Sequence, residues 1–292
     1  GDDVEYMEED SSGASTFTVN TPFGKFEVDL EEFEAKKKAA KEKVNPPNFS
    51  LARKMTREFI GGEDHMDFRY WNNNLGSLIK LHIDDFYSPK DLVKEFDLEG
   101  KMETQATYGN LQLGDQGSKR FIQSGYRFYE RDGERFAIIL SQDQDGDQRV
   151  VFITTTEGRG VELLDELEED FYANGPLNGA FFDMSYNFMK RSEMVDELLA
   201  WNPTIRSQLK KDVLDFLRLM PILGDRGLPN SRGVILSGAP GTGKTMYAKS
   251  LAAEAETTTI LISAEMIQQR HDVKTAFKLA RRLSPSLIII ED

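Results

Sequence analysis

The sequence predicts an α/β protein: a parallel sheet flanked by helices in the last third, preceded by a smaller α+β unit. Three observations carry this. Between residues 233 and 290, short apolar runs alternate with helical patterns, the signature of a parallel sheet with crossover helices. Between residues 121 and 155, three β-rich runs are separated by Asp-Gly pairs, a strong hairpin signal. The charge also changes sign along the chain. Residues 201–292 carry 13 Lys/Arg and 9 Asp/Glu, whereas residues 1–200 carry 23 and 41, which points to a boundary near 190–205.

In chain order, the expected units are 1–49, 50–185 and 186–292. Residues 1–14 are acidic and rich in Gly and Ser, the composition of a disordered tail. Thr16–Leu30 alternates apolar and polar residues about Thr21-Pro22-Phe23-Gly24, which reads as a small hairpin. Residues 31–43 have helix-forming composition and Pro46-Pro47 ends the run. Within 50–185, Phe121–Tyr129, Arg135–Ser141 and Arg149–Thr155 form a meander turning at Asp132-Gly133 and Asp145-Gly146. Val161, Leu164, Leu167 and Phe171 then recur at helical spacing. Asp143, Asp145 and Asp147 resemble part of a calcium loop. Ser141 and Phe152 hold the positions that an EF-hand gives to acids, so a hairpin turn is the better reading.

In 186–292, Ile205, Leu209, Val213, Phe216, Leu217 and Met220 form a helical stripe that Pro221 is expected to end. Gly233–Ser237 reads as a strand, Lys244–Ala255 as a helix and Thr258–Ser263 as a strand. Val273, Ala276, Phe277 and Ala280 mark another helix, and Ser286–Ile290 a last strand buried on both faces.

Composition excludes several functions. Hydrophobic residues make up 39% of the 292 and charged residues 29%, enough for an ordinary core. There is no cysteine, so disulfides, thiolate zinc sites and a cysteine nucleophile are out. His65, His82 and His271 have no metal-ligand spacing. No apolar run reaches the roughly 18–20 residues that span a bilayer, and no signal peptide opens the chain. A cytoplasmic location without a membrane is the expectation. The acidity of the first two thirds makes that part a poor partner for a nucleic-acid backbone.

The chemistry lies in two runs. Gly238-Ala239-Pro240-Gly241-Thr242-Gly243-Lys244-Thr245 fits G-x-x-x-x-G-K-[ST]. Glycines let successive N–H groups turn inward onto phosphate oxygens, and the following helix, which begins Lys244-Thr245-Met246, presents its positive end to the same anion. Lys244 reaches the β- and γ-phosphates, and the Thr245 hydroxyl can join a magnesium shell. A glycine-rich turn beside a surface lysine is the plainer alternative. A chance match in a chain of this length is on the order of one in a hundred, and this one stands between an expected strand and an expected helix. The second run is Leu287-Ile288-Ile289-Ile290-Glu291-Asp292, a strand ending in two carboxylates 47 residues after Lys244. Carboxylates at that end of a sheet can hold magnesium or activate water.

Residues 209–292 resemble the first half of the core of an AAA+ ATPase, a P-loop NTPase. The Pro240–Thr245 version of the loop and the Pro285-Ser286 lead into the last strand carry the resemblance. More narrowly, Arg226-Gly227-Leu228-Pro229, Arg232-Gly233 and the Glu-Asp order resemble the branch containing the mitochondrial cytochrome-bc-complex assembly chaperone and its prokaryotic relatives. The resemblance implies ATP and Mg2+ as ligands. It gives Lys244 and Thr245 the phosphate and metal roles, Glu291 the magnesium position and Asp292 the catalytic base. It also implies a homo-oligomeric ring, a hexamer or heptamer, acting on a protein client. Most AAA proteins have Asp then Glu at the acid pair, and Ala264–Asp272 has neither the aromatic residue nor the glycine of a substrate-gripping loop. A client moved without aromatic grip is compatible with that absence.

The resemblance further implies that the chain is a fragment ending after Walker B. The central strand of the sheet would then be missing, residues 205–292 would be unstable alone, and 1–292 would be inactive by itself. The leading function is an ATP-driven remodelling or translocating ATPase, with 50–185 as client adaptor. An ATP-gated assembly switch with slow hydrolysis and a small-molecule P-loop kinase are the alternatives.

Overall fold

The computed structural model describes residues 16–21, 24–29, 32, 35–36, 48–98, 105–191 and 202–291. The acidic tail and Asp292 lie outside the described residues, as does almost all of the helix expected over 31–43. The chain divides into two compact units, Gly1–Leu51 and Ala52–Asp292. In the first, β1 (Thr16–Thr21) and β2 (Gly24–Asp29) form the expected antiparallel hairpin.

Helix α1 (Asn48–Ile60) runs across that division, and the second unit continues with β3 (His65–Trp71), α2 (Asn73–Phe86), β4 (Leu92–Phe96) and β5 (Thr107–Gln112). The meander follows as β6 (Ser118–Arg131), β7 (Glu134–Gln142) and β8 (Gln148–Thr154). These strands make one antiparallel sheet of order β3-β8-β7-β6-β4, with β5 added to β6. Asp132 and Gly133 both have positive φ, 52° and 81°, which is what a two-residue hairpin between twisted strands requires. At the second turn the Asp143 carboxylate accepts from the N–H groups of Asp145 and Asp147, at 3.0 and 2.8 Å. The aspartates are spent on shaping a hairpin, as their sequence suggested.

The stretches Phe136–Leu140 of β7 and Val150–Ile153 of β8 are apolar at every position because both sheet faces are covered. Phe136, Ile138, Val150 and Phe152 face α2 and α3 (Arg159–Asn174), whereas Ala137, Val151 and Ile153 face α1. Fully burying each such side chain is worth roughly 1.5–3 kcal/mol. Helix α3 buries Leu163, Leu164, Leu167 and Phe171. Val161, which the spacing assigned to the stripe, is 43% exposed, and Leu163 takes its place.

The remaining elements are β9 (Phe181–Asp183), α4 (Pro203–Lys210), a π-helical turn at Lys211–Asp215, α5 (Phe216–Asp225), α6 (Lys244–Ala255), β10 (Thr258–Ser263), α7 (Arg270–Arg282) and β11 (Ser286–Glu291). They form a parallel sheet of order β11-β10-β9. The sequence did not reveal β9, whose Phe181, Phe182 and Asp183 pair with Thr259, Ile260 and Leu261. One hydrophobic core runs from Leu164 and Phe171 of α3 through Phe182 to Ile260, Ile262 and Leu279.

Four local expectations need correction. The helix does not stop at Pro221. It continues to Asp225 and closes where Gly227, at φ +67°, lets the Leu228 N–H reach the Leu223 carbonyl at 2.9 Å. The stop signal was Gly227-Leu228-Pro229. Gly233–Ser237 forms no ladder with any described strand, and Ile235 is 91% exposed. Among the described strands β11 pairs with β10 alone, and Ile289 is buried while Ile290 is 55% exposed. In α7 the buried stripe is Ala276, Leu279 and Ala280, and Phe277 faces outward.

Candidate functional site

The loop Gly238–Gly243 leads directly into α6. Gly241 and Gly243 both have positive φ, 77° and 83°, where a side chain would be strained. Gly243 sits at the N-cap of α6, and its carbonyl accepts from the Tyr247 N–H at 2.9 Å. The Lys244 ammonium folds back over the loop and donates to the carbonyls of Gly238 (2.9 Å) and Ala239 (2.8 Å), with the Thr242 hydroxyl at 3.5 Å. Thr242 itself donates to Ala239 O at 2.9 Å. Among the described residues no carboxylate forms an ion pair with Lys244. The result is a cation parked on loop carbonyls at a helix N-terminus, and a bound anion would draw it from those carbonyls.

Pro240 is exposed at the top of the loop, and Thr245 and Met246 open α6 on its exposed side. Glu291 ends β11 with its carboxylate 3.3 Å from the Lys249 ammonium, one turn and a half along α6 from Lys244. The structure thus brings Gly238, Ala239, Thr242 and Lys244 together and ties Glu291 to the same helix. The Thr245 hydroxyl and Glu291 carboxylate are hard oxygen donors that suit magnesium, which takes few protein ligands and keeps water and phosphate oxygens for the rest.

Sequence reasoning missed two residues that set this geometry. Tyr247 is fully buried against Leu214 and Leu251, and its hydroxyl donates to the Arg206 carbonyl at 3.1 Å, pinning α6 to α4. Arg191 crosses from the other side. Its guanidinium donates to the carbonyls of Ala252 and Thr257 and to Gly179 O at 3.1 Å, while its backbone N–H donates to Asp115 at 2.7 Å. Ala252 is among the last four residues of α6, whose carbonyls lack helical partners, so Arg191 caps that end. Burial lowers the Arg191 pKa from its ordinary value. No pattern around Arg191 announced this. Gly179 lies 12 residues away in sequence and the other partners 61–76.

Replacing Arg191 with Met should expose these carbonyls and cost about 1–3 kcal/mol. The expected result is faster amide exchange confined to 250–260 and a lower Tm. Unchanged exchange there would show that the cap is not needed.

Comparison with known proteins places the site in a class. Residues 234–292 match the ATPase family associated with various cellular activities (AAA). An ATP-dependent zinc metalloprotease, FtsH 1, of Rhodopirellula baltica is 30% identical over 141 residues, covering 44% of this chain and 20% of that protein. A proteasome-activating nucleotidase of Sulfurisphaera tokodaii is 39% identical over 72 residues, covering 23% and 18%. Spastin of Xenopus tropicalis is 32% identical over 115 residues, covering 34% and 19%. The matched stretch spans about a fifth of each relative's length. The stretch that matches the AAA family contains the loop, α6 and β11. Among the described residues no helix is long and apolar enough to cross a membrane.

Proposed function

We propose that the chain binds ATP with magnesium at Gly238–Thr245 and belongs to an ATPase that remodels or moves a protein client. The observation that carries this is the Lys244 cradle at the start of α6, inside the stretch that matches AAA proteins. In this reading Lys244 neutralises the β- and γ-phosphates, Thr245 and Glu291 face the metal, and Asp292 orients or deprotonates the attacking water. Magnesium would supply charge neutralisation on the phosphates. Two of the relatives are named for ATP-dependent proteolysis and for proteasome activation, which supports a protein client. Residues 50–185 would select that client, and the active form would be a homo-oligomeric ring of six or seven. The Glu291-Asp292 order and Arg226-Gly227-Leu228-Pro229 favour the branch of the bc-complex assembly chaperone.

One observation favours the ATP-gated switch instead. Glu291 is already engaged by Lys249, which competes for the carboxylate the metal would use. Turnover separates the two. Asp292→Asn should spare ATP binding and lower hydrolysis by about 10²–10⁴-fold, since the amide cannot accept a proton. Lost binding with normal turnover per bound site would refute the base role. Measured where the whole ATPase core is present, equal and near-zero turnover in both proteins would favour the switch.

A further inference from the structure

Strand β3 ends the order β3-β8-β7-β6-β4, so among the described strands its outer edge has no partner. Alternate residues of such an edge direct N–H and C=O away from the sheet. Its register with β8 runs unbroken from His65 to Trp71, without the bulge or proline that commonly blunts an edge. On one face Met66, Phe68 and Tyr70 follow each other at strand period and are 47%, 54% and 45% exposed. The Phe68 and Tyr70 rings meet edge to face at 5.4 Å, and the Arg149 guanidinium lies over both, at 4.9 and 5.6 Å. On this face α1 covers Val151 and Ile153 of β8.

The other face of β3 has the opposite character. Arg69 reaches down to Asp165 (2.8 Å) and Glu168 (2.5 Å) of α3. Helix α3 carries six acids against the single Arg159. Glu162, Asp165, Glu166 and Glu169 are exposed, and Arg159 already spends itself on Glu162 and Glu166 together with Glu134. A strand added to β3 would alternate in the same way. Its residues on one face would extend the Met66–Phe68–Tyr70 row, and those on the other would overhang the acidic helix.

We infer that the β3 edge docks an extended client segment in which apolar and basic residues alternate. Backbone pairing supplies affinity in this mode, and the alternating side chains supply choice. The inference rests on the reading of 50–185 as the client adaptor and names what that adaptor selects. Acidic α3 disfavours a nucleic-acid backbone on the same edge.

The test uses the whole chain and a synthetic peptide of alternating Phe and Lys, about seven residues long to match β3. Controls are a Phe-Glu alternating peptide, a peptide with the same Phe and Lys in two blocks, and oligo-dT. Readouts are peptide affinity and amide exchange. The Phe-Lys peptide should slow exchange in 65–71 and bind at least about tenfold more tightly than either peptide control. Phe68→Lys should weaken it about tenfold, and Glu169→Lys, on the exposed side of α3, about threefold. Both positions are exposed, so both variants should keep the parent Tm. Protection elsewhere in 52–191 that Phe68→Lys leaves untouched would overturn the inference and leave the adaptor reading standing. No protection anywhere in 52–191 would overturn both. Protection of β3 by oligo-dT, or by raising protein concentration without peptide, would put a nucleic acid or a second copy there instead.

Discussion

Lys244→Ala is expected to raise the Kd for magnesium-ATP by about 10–100-fold, the loss of one charge-assisted phosphate contact at about 1.5–3 kcal/mol. Where turnover is measurable it should fall to background, because the γ-phosphate loses its nearest fixed positive charge. The structure adds a second expectation. Lys244 holds only loop carbonyls and one hydroxyl, all exposed, so its removal should leave the Tm unchanged. Titration with a fluorescent ATP analogue and a melting curve check both. Unchanged affinity would remove the loop from the nucleotide site. A collapsed Tm would mean that the lysine is a structural strut.

The largest expected loss of stability is at Lys80 of α2. Its side chain is fully buried and donates to Gln123 O (2.7 Å), Ser141 O (2.7 Å) and Gln148 Oε1 (2.6 Å), joining the helix to β6, β7 and β8. Gly76, one turn earlier, allows this approach, since a Cβ there would stand 2.3 Å from Gln148 Cβ. Lys80→Met would leave three buried acceptors without their donor, at about 1–3 kcal/mol for each left unsatisfied. Denaturant unfolding should show a loss of about 3 kcal/mol or more, and a loss under about 1 kcal/mol would refute the strut.

Burial also pushes the Lys80 pKa down to about 7 from 10.5. The folded chain then releases its proton near pH 7 while the unfolded chain keeps it to about 10.5, so the unfolded state holds more protons between them. Stability should rise with pH across that window, and the cost of the buried charge is present in full below it. The Met variant should lack this rise.

The parts of the fold that could be read from sequence were those whose signal is local. Asp132-Gly133 and Asp145-Gly146 demand hairpins wherever they stand, and Gly241 and Gly243 demand a loop with positive φ. Lys244–Ala255 and Thr258–Ser263 have bounds that their patterns fixed to the residue. What stayed hidden depends on neighbours distant in sequence. Nothing in Phe181–Asp183 says that it will lie beside Thr259–Leu261. Nothing in Arg191 says that it will reach Ala252. Gly233–Ser237 and Ile290 are apolar enough for a covered strand, but cover is a property of what pairs with them. Phe277 and Val161 fit a helical stripe to within two positions, which periodicity alone does not resolve. The cradle half of the candidate site was therefore legible, whereas the Lys249–Glu291 pairing and the props behind α6 were not.

The three-residue ladder between β9 and β10 bears on portability. A graft that carried residues 186–292 onto another protein would begin just past Asp183. It would leave behind the strand that shields the flank of Thr259–Leu261, and Gly179, which Arg191 grips. The transplanted sheet would start with a raw edge at its most buried strand, and the donor would be left with Phe182 stripped of its cover. The safer cut lies before Asn48, which keeps α1 whole just ahead of the division between the two compact units.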